Sequence, residues 1–360
     1  MNILDNLKEL KKLDPEKSLE SIQAFPDQLV DIWQQAQKMV VPSEFKKAKN
    51  IVVAGMGGSA LGGRIAKSLL ESEIKIPLMV NTEYQLPAFV NRESLVVIAS
   101  YSGNTEETLS CLKKARQAKA MIFGITTGGK LAGEIKRGLL GFVFKPKYNL
   151  LGYPKTAIGY SLGALLAFLA KNQLINLDDK EFIKQLEEFK KIQPQFLPQT
   201  PTSKNPAKKM AHFLQGKIGV LIASQHLKGA TWALRNEINE IAHSFCLFFD
   251  LPEMNHHLVE ALANPEGAKA ILGYVFLNSN NYFSRVKIRY PITQKIIQKI
   301  GSKTYQYQVQ SLSKLAQALE IIQLGGFTAL YLSALNSQDP GPEPWIIFLK
   351  KQLAAHEKKE

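Results

Sequence analysis

Short runs of Val, Ile and Leu recur through the first half of the chain: "NIVVAGMGG", "IPLMVNTEY", "SLVVIASYSGN", "AMIFGITTGG" and "GFVFKP". Segments between them, such as "SCLKKARQAKAM", carry apolar residues at helical spacing. Near-continuous apolar strands separated by helices predict a parallel sheet covered on both faces. Residues 2–40 keep a helical rhythm broken at Asp14-Pro15 and Pro26-Asp27, which predicts two helices ahead of the first strand. "TAIGYSLGALLAFLAKNQ" predicts a strongly apolar helix, too short and too dotted with Gly and Ser to span a membrane.

The stretch "PQFLPQTPTSKNP", residues 194–206, holds four prolines and reads as part of an inter-domain linker over 186–206. The pattern then restarts with "KIGVLIASQHLKGATWALRNEINEIA", a strand, a turn containing Ser224 and Gly229, and a helix. Two more strand-like runs follow, "SFCLFF" and "AILGYVFLN", then "YFSRVKIRYPI". The chain closes on a proline-rich turn and a lysine-rich helix, "PGPEPWIIFLKKQLAAHEKKE". An internal duplication is expected: helices over 1–40, a first unit over 41–185, the linker, and a second unit over 207–360.

Composition narrows the class. With 360 residues, 45% apolar and 21% charged, the chain has room for two full cores. Two cysteines, Cys111 and Cys246, exclude a disulfide framework and a four-cysteine zinc site, and fit buried thiols in a reducing compartment. The amino terminus is charged throughout and no run reaches about 18 uninterrupted apolar residues, so a cytoplasmic protein with no membrane partner is expected. The net charge of +14 is spread, and only seven of the 45 basic residues are arginine. No zinc-finger, RRM or basic-zipper pattern accompanies it, so no nucleic-acid partner is expected; a lysine-rich surface attracting anionic metabolites is.

Two turns carry the candidate chemistry. "GMGGSALGGR" follows the first strand, and "SYSGNTEET" follows the third, gathering Ser100, Ser102, Asn104 and Thr105 about Gly103. Both sit where a strand hands over to a helix, the edge at which open α/β sheets bind ligands. Ser59, Ser100, Ser102 and Thr105, with backbone amides at Gly57 and Gly58, would ring one phosphate. The plainer reading is helix capping by Asn104 or Thr105, with Glu107 completing a box, but it accounts for only one or two of the polar residues. A dinucleotide site is the rival use of the first turn, yet Glu83 comes 28 residues after Gly55, late for a ribose-binding acid.

With these turns the sequence resembles the sugar isomerase (SIS) domain family. "LGYPKTAIGYSLGAL", "RNEINEIAH", "LPEMNHH" and "FLKKQL" resemble, in that order and over essentially the whole chain, the bifunctional phosphoglucose/phosphomannose isomerases. The resemblance implies two tandem SIS domains, each a mainly parallel five-stranded sheet flanked by helices in a flavodoxin-like three-layer α/β arrangement. It further implies interconversion of glucose 6-phosphate and mannose 6-phosphate with fructose 6-phosphate through a cis-enediol, with no metal and no nucleotide cofactor. A homodimer whose site is completed across the interface is implied as well.

By the same resemblance Glu240 matches the catalytic base, His256 the ring-opening histidine given across the dimer, and Lys350 an active-site lysine of the terminal helix. The residues alone leave Glu237 and Glu240 as alternatives on one helix; position after "PEMN" favours His256 over His257. Lys155 stands where the family has an arginine that stabilises the enediolate, which keeps the charge and loses the planar fork. His257 and Leu258 replace the family's Asn and Glu, and Glu343 replaces a threonine near the phosphosugar. These departures motivate an alternative, a non-catalytic SIS-type protein that senses a sugar phosphate.

Overall fold

The computed structural model describes residues 3–357. Three helices, not two, open the chain: α1 (Leu7–Lys12), α2 (Ser18–Gln23) and α3 (Phe25–Ala36). The Asp14 carboxylate accepts from the backbone N–H of Ser18 at 2.8 Å and Leu19 at 2.7 Å, starting α2. Pro26 falls in the first turn of α3, where a missing N–H costs nothing.

The first unit alternates β1 (Asn50–Ala54), α4 (Gly57–Leu70), β2 (Leu78–Asn81), β3 (Ser94–Ser100), α5 (Glu106–Gln117), β4 (Met121–Thr126), α6 (Gly129–Lys136) and β5 (Gly141–Val143). All five strands are parallel, in the order β2-β1-β3-β4-β5. The order reverses between β1 and β3, the pair whose turns carry the serines, and a switch point of this kind opens a crevice at the strands' carboxyl ends. β3 is buried along its whole length, as its uninterrupted apolar run requires. The apolar segment after the sheet forms α7 (Ile158–Lys171), buried on nearly every side.

The proline-rich stretch is packed, not loose. α8 (Asp179–Lys190) takes the start of the expected linker, and Phe196 beyond it is fully buried. From α9 (Pro206–Leu214), the ammonium of Lys208 donates to the carbonyls of Pro198 at 2.8 Å and Thr200 at 2.9 Å. These bonds tie the segment to the second unit.

The second unit holds β6 (Ile218–Ala223), α10 (Lys228–Glu240), β7 (Cys246–Asp250), the short α11 (Met254–His257) and α12 (Ala268–Ile271), β8 (Leu272–Asn278), α13 (Ser284–Ile300) and β9 (Lys303–Gln308). Its sheet is parallel with order β7-β6-β8-β9, which repeats the first sheet's order. It has four strands where five were expected. Most of "YFSRVKIRYPI" enters α13, while the polar "KTYQYQ" supplies the edge strand β9.

α14 (Lys314–Leu335) is 22 residues long with a mean hydropathy of 1.4, enough to cross a membrane by length and composition, and 94% of that apolar window is buried inside the protein. It packs on α2, α9 and α10. α15 (Pro344–Glu357) ends the described chain.

α4 and α10 bring the two units together in antiparallel array. Near the start of α10, the Gly229 N–H donates to the Ser68 hydroxyl of α4 at 2.9 Å. A Cβ at Gly229 would lie 2.5 Å from the Cα of Ile65, so only glycine allows this approach. Farther along, Arg64 stacks over Trp232 at 4.0 Å. At the far end the start of α4 and the end of α10 both contact the Pro154–Lys155 turn.

Candidate active site

The Ser59 turn and the Ser100–Thr105 turn form one structure. The Ser59 hydroxyl accepts from the Tyr101 N–H at 2.9 Å, across the gap between β1 and β3. Ser100 is buried and points inward: its oxygen accepts from the Gly103 N–H at 3.0 Å and lies 2.9 Å from the Thr105 hydroxyl. Ser102 is exposed on the rim. Thr105 occupies the N-cap position of α5 without a side-chain capping bond, so its hydroxyl serves the serine turn. Asn104 does not cap either; its oxygen accepts from the Lys130 N–H at 3.0 Å in the turn after β4.

That third turn was not singled out in the sequence. Thr127 donates its hydroxyl to the Tyr101 carbonyl at 2.7 Å, and a Cβ on Gly103 (φ +69°) would collide with Gly128 and stand 2.8 Å from the Thr126 hydroxyl. The three turns brace each other.

The start of α4 is open for an anion. Gly57 is exposed with φ +48°, Met56 supplies no side-chain cap, and the first turn holds no acidic residue. Its free N–H groups and the helix dipole favour negative charge. The first turn of α5 instead carries Glu106 and Glu107.

The Pro154–Lys155 turn links this cup to the end of α10. A Cβ on Gly58 would stand 2.7 Å from the carbonyl oxygen of Pro154, whose neighbour Lys155 reaches the end of α10. The Lys155 ammonium donates to the carbonyls of Glu240 at 3.3 Å, Pro340 at 3.1 Å and Gly341 at 2.7 Å, and faces a Glu343 carboxylate oxygen at 3.4 Å. Lys155 is therefore a buried tie, not a cation open to the crevice expected from the arginine position. Burial pushes the Glu240 carboxyl up to about 7; Glu343 adds to the rise, and Lys155 and Arg235 oppose it.

Glu237, the alternative on the same helix, is sunk against α14, where Gly325 and Gly326 make room for it. Burial holds its carboxyl well above the usual carboxylate range, and the negative Glu240 adds to that. Its Oε2 has no hydrogen-bond partner among the described residues, and Glu237 lines a cavity of about 10 Å³ with Lys155, Thr156 and Gln323. That volume is about one water's worth. Glu240 is the partly exposed one of the two.

His256 and Lys350 are not brought to Glu240 within one chain. Glu240 precedes β7 and His256 follows it, so the two sit at opposite edges of the second sheet, about 15 Å or more apart. His256 is exposed on α11, as is its neighbour His257. Lys350 lies on α15, whose described side chains are all exposed, including Trp345 at 81% and Phe348 at 56%. Among the described residues no group of three or more His, Cys, Asp and Glu side chains converges as metal ligands would.

Hydroxyl-lined turns at the switch point of one parallel sheet, a second sheet of the same order, and a half-buried carboxylate at the end of α10 define a tandem SIS-type protein. Residues 44–134 match the SIS domain, and residues 203–353 match the bacterial phospho-glucose isomerase C-terminal SIS domain. The chain belongs to the bifunctional phosphoglucose/phosphomannose isomerase family. It is 30% identical to the protein of that name from Caldicellulosiruptor bescii, over 93% of this chain and 98% of the relative. To that from Aquifex aeolicus it is 31% identical, over 90% and 95%. The fold is also that of tagatose-6-phosphate ketose/aldose isomerase from Escherichia coli (TM-score 0.68, 16% identity, 91% of this chain and 95% of the other). A hypothetical protein from Thermus thermophilus matches with TM-score 0.71 and 15% identity, over 96% and 94%.

Proposed function

We propose that the protein is an aldose–ketose isomerase interconverting glucose 6-phosphate and mannose 6-phosphate with fructose 6-phosphate through a cis-enediol. The observation that carries this reading is Glu240, a carboxyl raised to about 7 at the end of α10, which Lys155 holds by its backbone carbonyl from the turn that lies against the uncapped start of α4. The amides at Gly57 and Gly58 with Ser59, Ser102 and Thr105 hold the phosphate; Ser100 keeps their turn in shape. Glu240 takes the proton from C2 of the open aldose. The C2–H electron pair becomes the C1–C2 double bond, and the C1 carbonyl oxygen takes the charge. The C2 hydroxyl proton passes to the C1 oxygen, and as the C2–O electron pair forms C2=O the C1–C2 double-bond pair takes the proton back from Glu240 at C1, which gives the ketose. A base with a proton affinity near neutrality suits both directions.

Ring opening needs an acid–base group that serves the ring oxygen and the anomeric hydroxyl, which suits imidazole. Since His256 lies across its own sheet from Glu240, the reading assigns it to the site of a second copy. The apolar, uncovered α15 supports a homodimer in which that helix is seated on the partner and Lys350 joins the site. Two buried thiols pushed above their usual range by desolvation, Cys246 to about 12, fit a reducing, cytoplasmic setting.

The test is a coupled assay on glucose 6-phosphate and mannose 6-phosphate. Turnover by the wild type, falling at least ~10²-fold in Glu240→Gln, is expected for loss of the base. Equal rates in the two proteins would reject proton transfer by Glu240.

A further inference from the structure

Glu343 stands before α15 with a carboxylate oxygen 3.4 Å from the Lys155 ammonium, and the two side chains are 12% and 1% exposed. The ammonium's three N–H groups are directed to three backbone carbonyls, those of Glu240, Pro340 and Gly341. A buried ammonium also requires a counter-charge. Two carboxyl groups compete for that place, the side chains of Glu240 and Glu343. The structure gives Lys155 the backbone carbonyl of Glu240 but the carboxylate of Glu343.

We infer that Glu343 is a positioning residue for the isomerisation: by engaging the Lys155 ammonium it leaves the Glu240 carboxylate without a cationic partner and free to take a proton from carbon. This rests on the function proposed above and adds to it a residue that touches no reacting atom.

The other charged groups around Glu240 do not take over the role. On α10 itself, the Arg235 guanidinium donates to the Asn236 oxygen at 3.1 and 2.6 Å and stacks over Trp232 at 4.5 Å. Glu237, also on α10, is fully sunk and held toward its neutral form. Just past α10, burial lowers the His243 pKa, with Lys155 adding to the fall and Asp339 and Glu343 opposing it, so His243 adds little positive charge. Lys155, from the turn after the first sheet, is thus the cation whose choice of partner matters. Consistent with this, Glu343 strengthens the hold of Glu240 on its proton and Lys155 weakens it.

The experiment is the pH dependence of kcat/KM on fructose 6-phosphate for wild type, Glu343→Gln and Glu343→Asp, with thermal unfolding alongside. Freed from Glu343, Lys155 pairs with Glu240 in Glu343→Gln. The acid limb is expected to move down by about one pH unit or more, with kcat reduced and KM little changed. Glu343→Asp restores part of the profile. A Glu343→Gln profile superimposable on an active wild type overturns the inference; an inactive wild type overturns the proposed function instead. If Glu343→Gln does not fold, the Lys155→Gln/Glu343→Gln double variant decides. With both charges gone Lys155 can no longer pair with Glu240, so its acid limb is expected close to that of wild type, and a limb displaced downward by a full pH unit or more overturns the inference.

Discussion

Gly58 and Pro154 touch: a Cβ on the glycine would come within 2.7 Å of the proline carbonyl oxygen. The contact sets the start of α4 against the turn that carries Lys155, so the cup is walled by the turn that holds the end of α10. Gly58→Ala is expected to push that wall outward. Steady-state kinetics should show KM for fructose 6-phosphate raised and kcat lowered, with a loss of about 1–3 kcal/mol of stability by denaturant titration. A variant with wild-type kinetics would show that the turn does not wall the cup.

The serines separate by what their hydroxyls already hold. Ser102→Ala is expected to weaken inorganic phosphate binding several-fold in calorimetry while leaving the melting temperature within a few degrees; Ser59→Ala should weaken it too and, by orphaning the Tyr101 N–H, cost about 1–3 kcal/mol of stability. Ser100→Ala removes two internal hydrogen bonds of a buried turn and should cost about 1–3 kcal/mol of stability. Equal effects of all three on phosphate affinity would contradict the inward placement of Ser100.

Glu240 ties stability to pH. Its proton affinity is raised by folding from 4.5 to about 7, so the folded state binds the extra proton between those values. The stabilisation is complete below about pH 4.5 and is lost as pH rises through about 7. Glu240→Gln should therefore melt higher than wild type at pH 8, by roughly 2–3 kcal/mol, with little difference at pH 4.5. Parallel melting curves at both pH values would count against the shift.

Sharing of the site between copies predicts complementation. Glu240→Gln and His256→Ala chains, each inactive alone, should on mixing and subunit exchange recover up to about a quarter of wild-type activity, because hybrid dimers hold one intact site in two. Trp345→Ala/Phe348→Ala should weaken the dimer in sedimentation velocity. A mixture that stays inactive while exchanging subunits would place His256 outside the shared site.

Much of the first unit was readable because its cues are local. Apolar runs marked all five strands, and the small hydroxyl residues marked both turns. The third turn was missed because Thr127 and Gly128 gain meaning only against Tyr101 and Gly103, contacts the chain makes after folding. β9 was missed because a polar edge strand carries little apolar signal. The prolines of 194–206 suggested a linker, yet Phe196 and Leu197 lie among them, and Phe196 fills the core. Glu240 could not be separated from Glu237 by spacing; depth of burial separates them. The Lys155–Glu343 pair joins distant segments, so each departure looked like a loss when read alone.

Backbone rests on backbone where Gly229 meets Ile65, so any side chain at position 229 would wedge α4 and α10 apart and shift one half of the protein against the other.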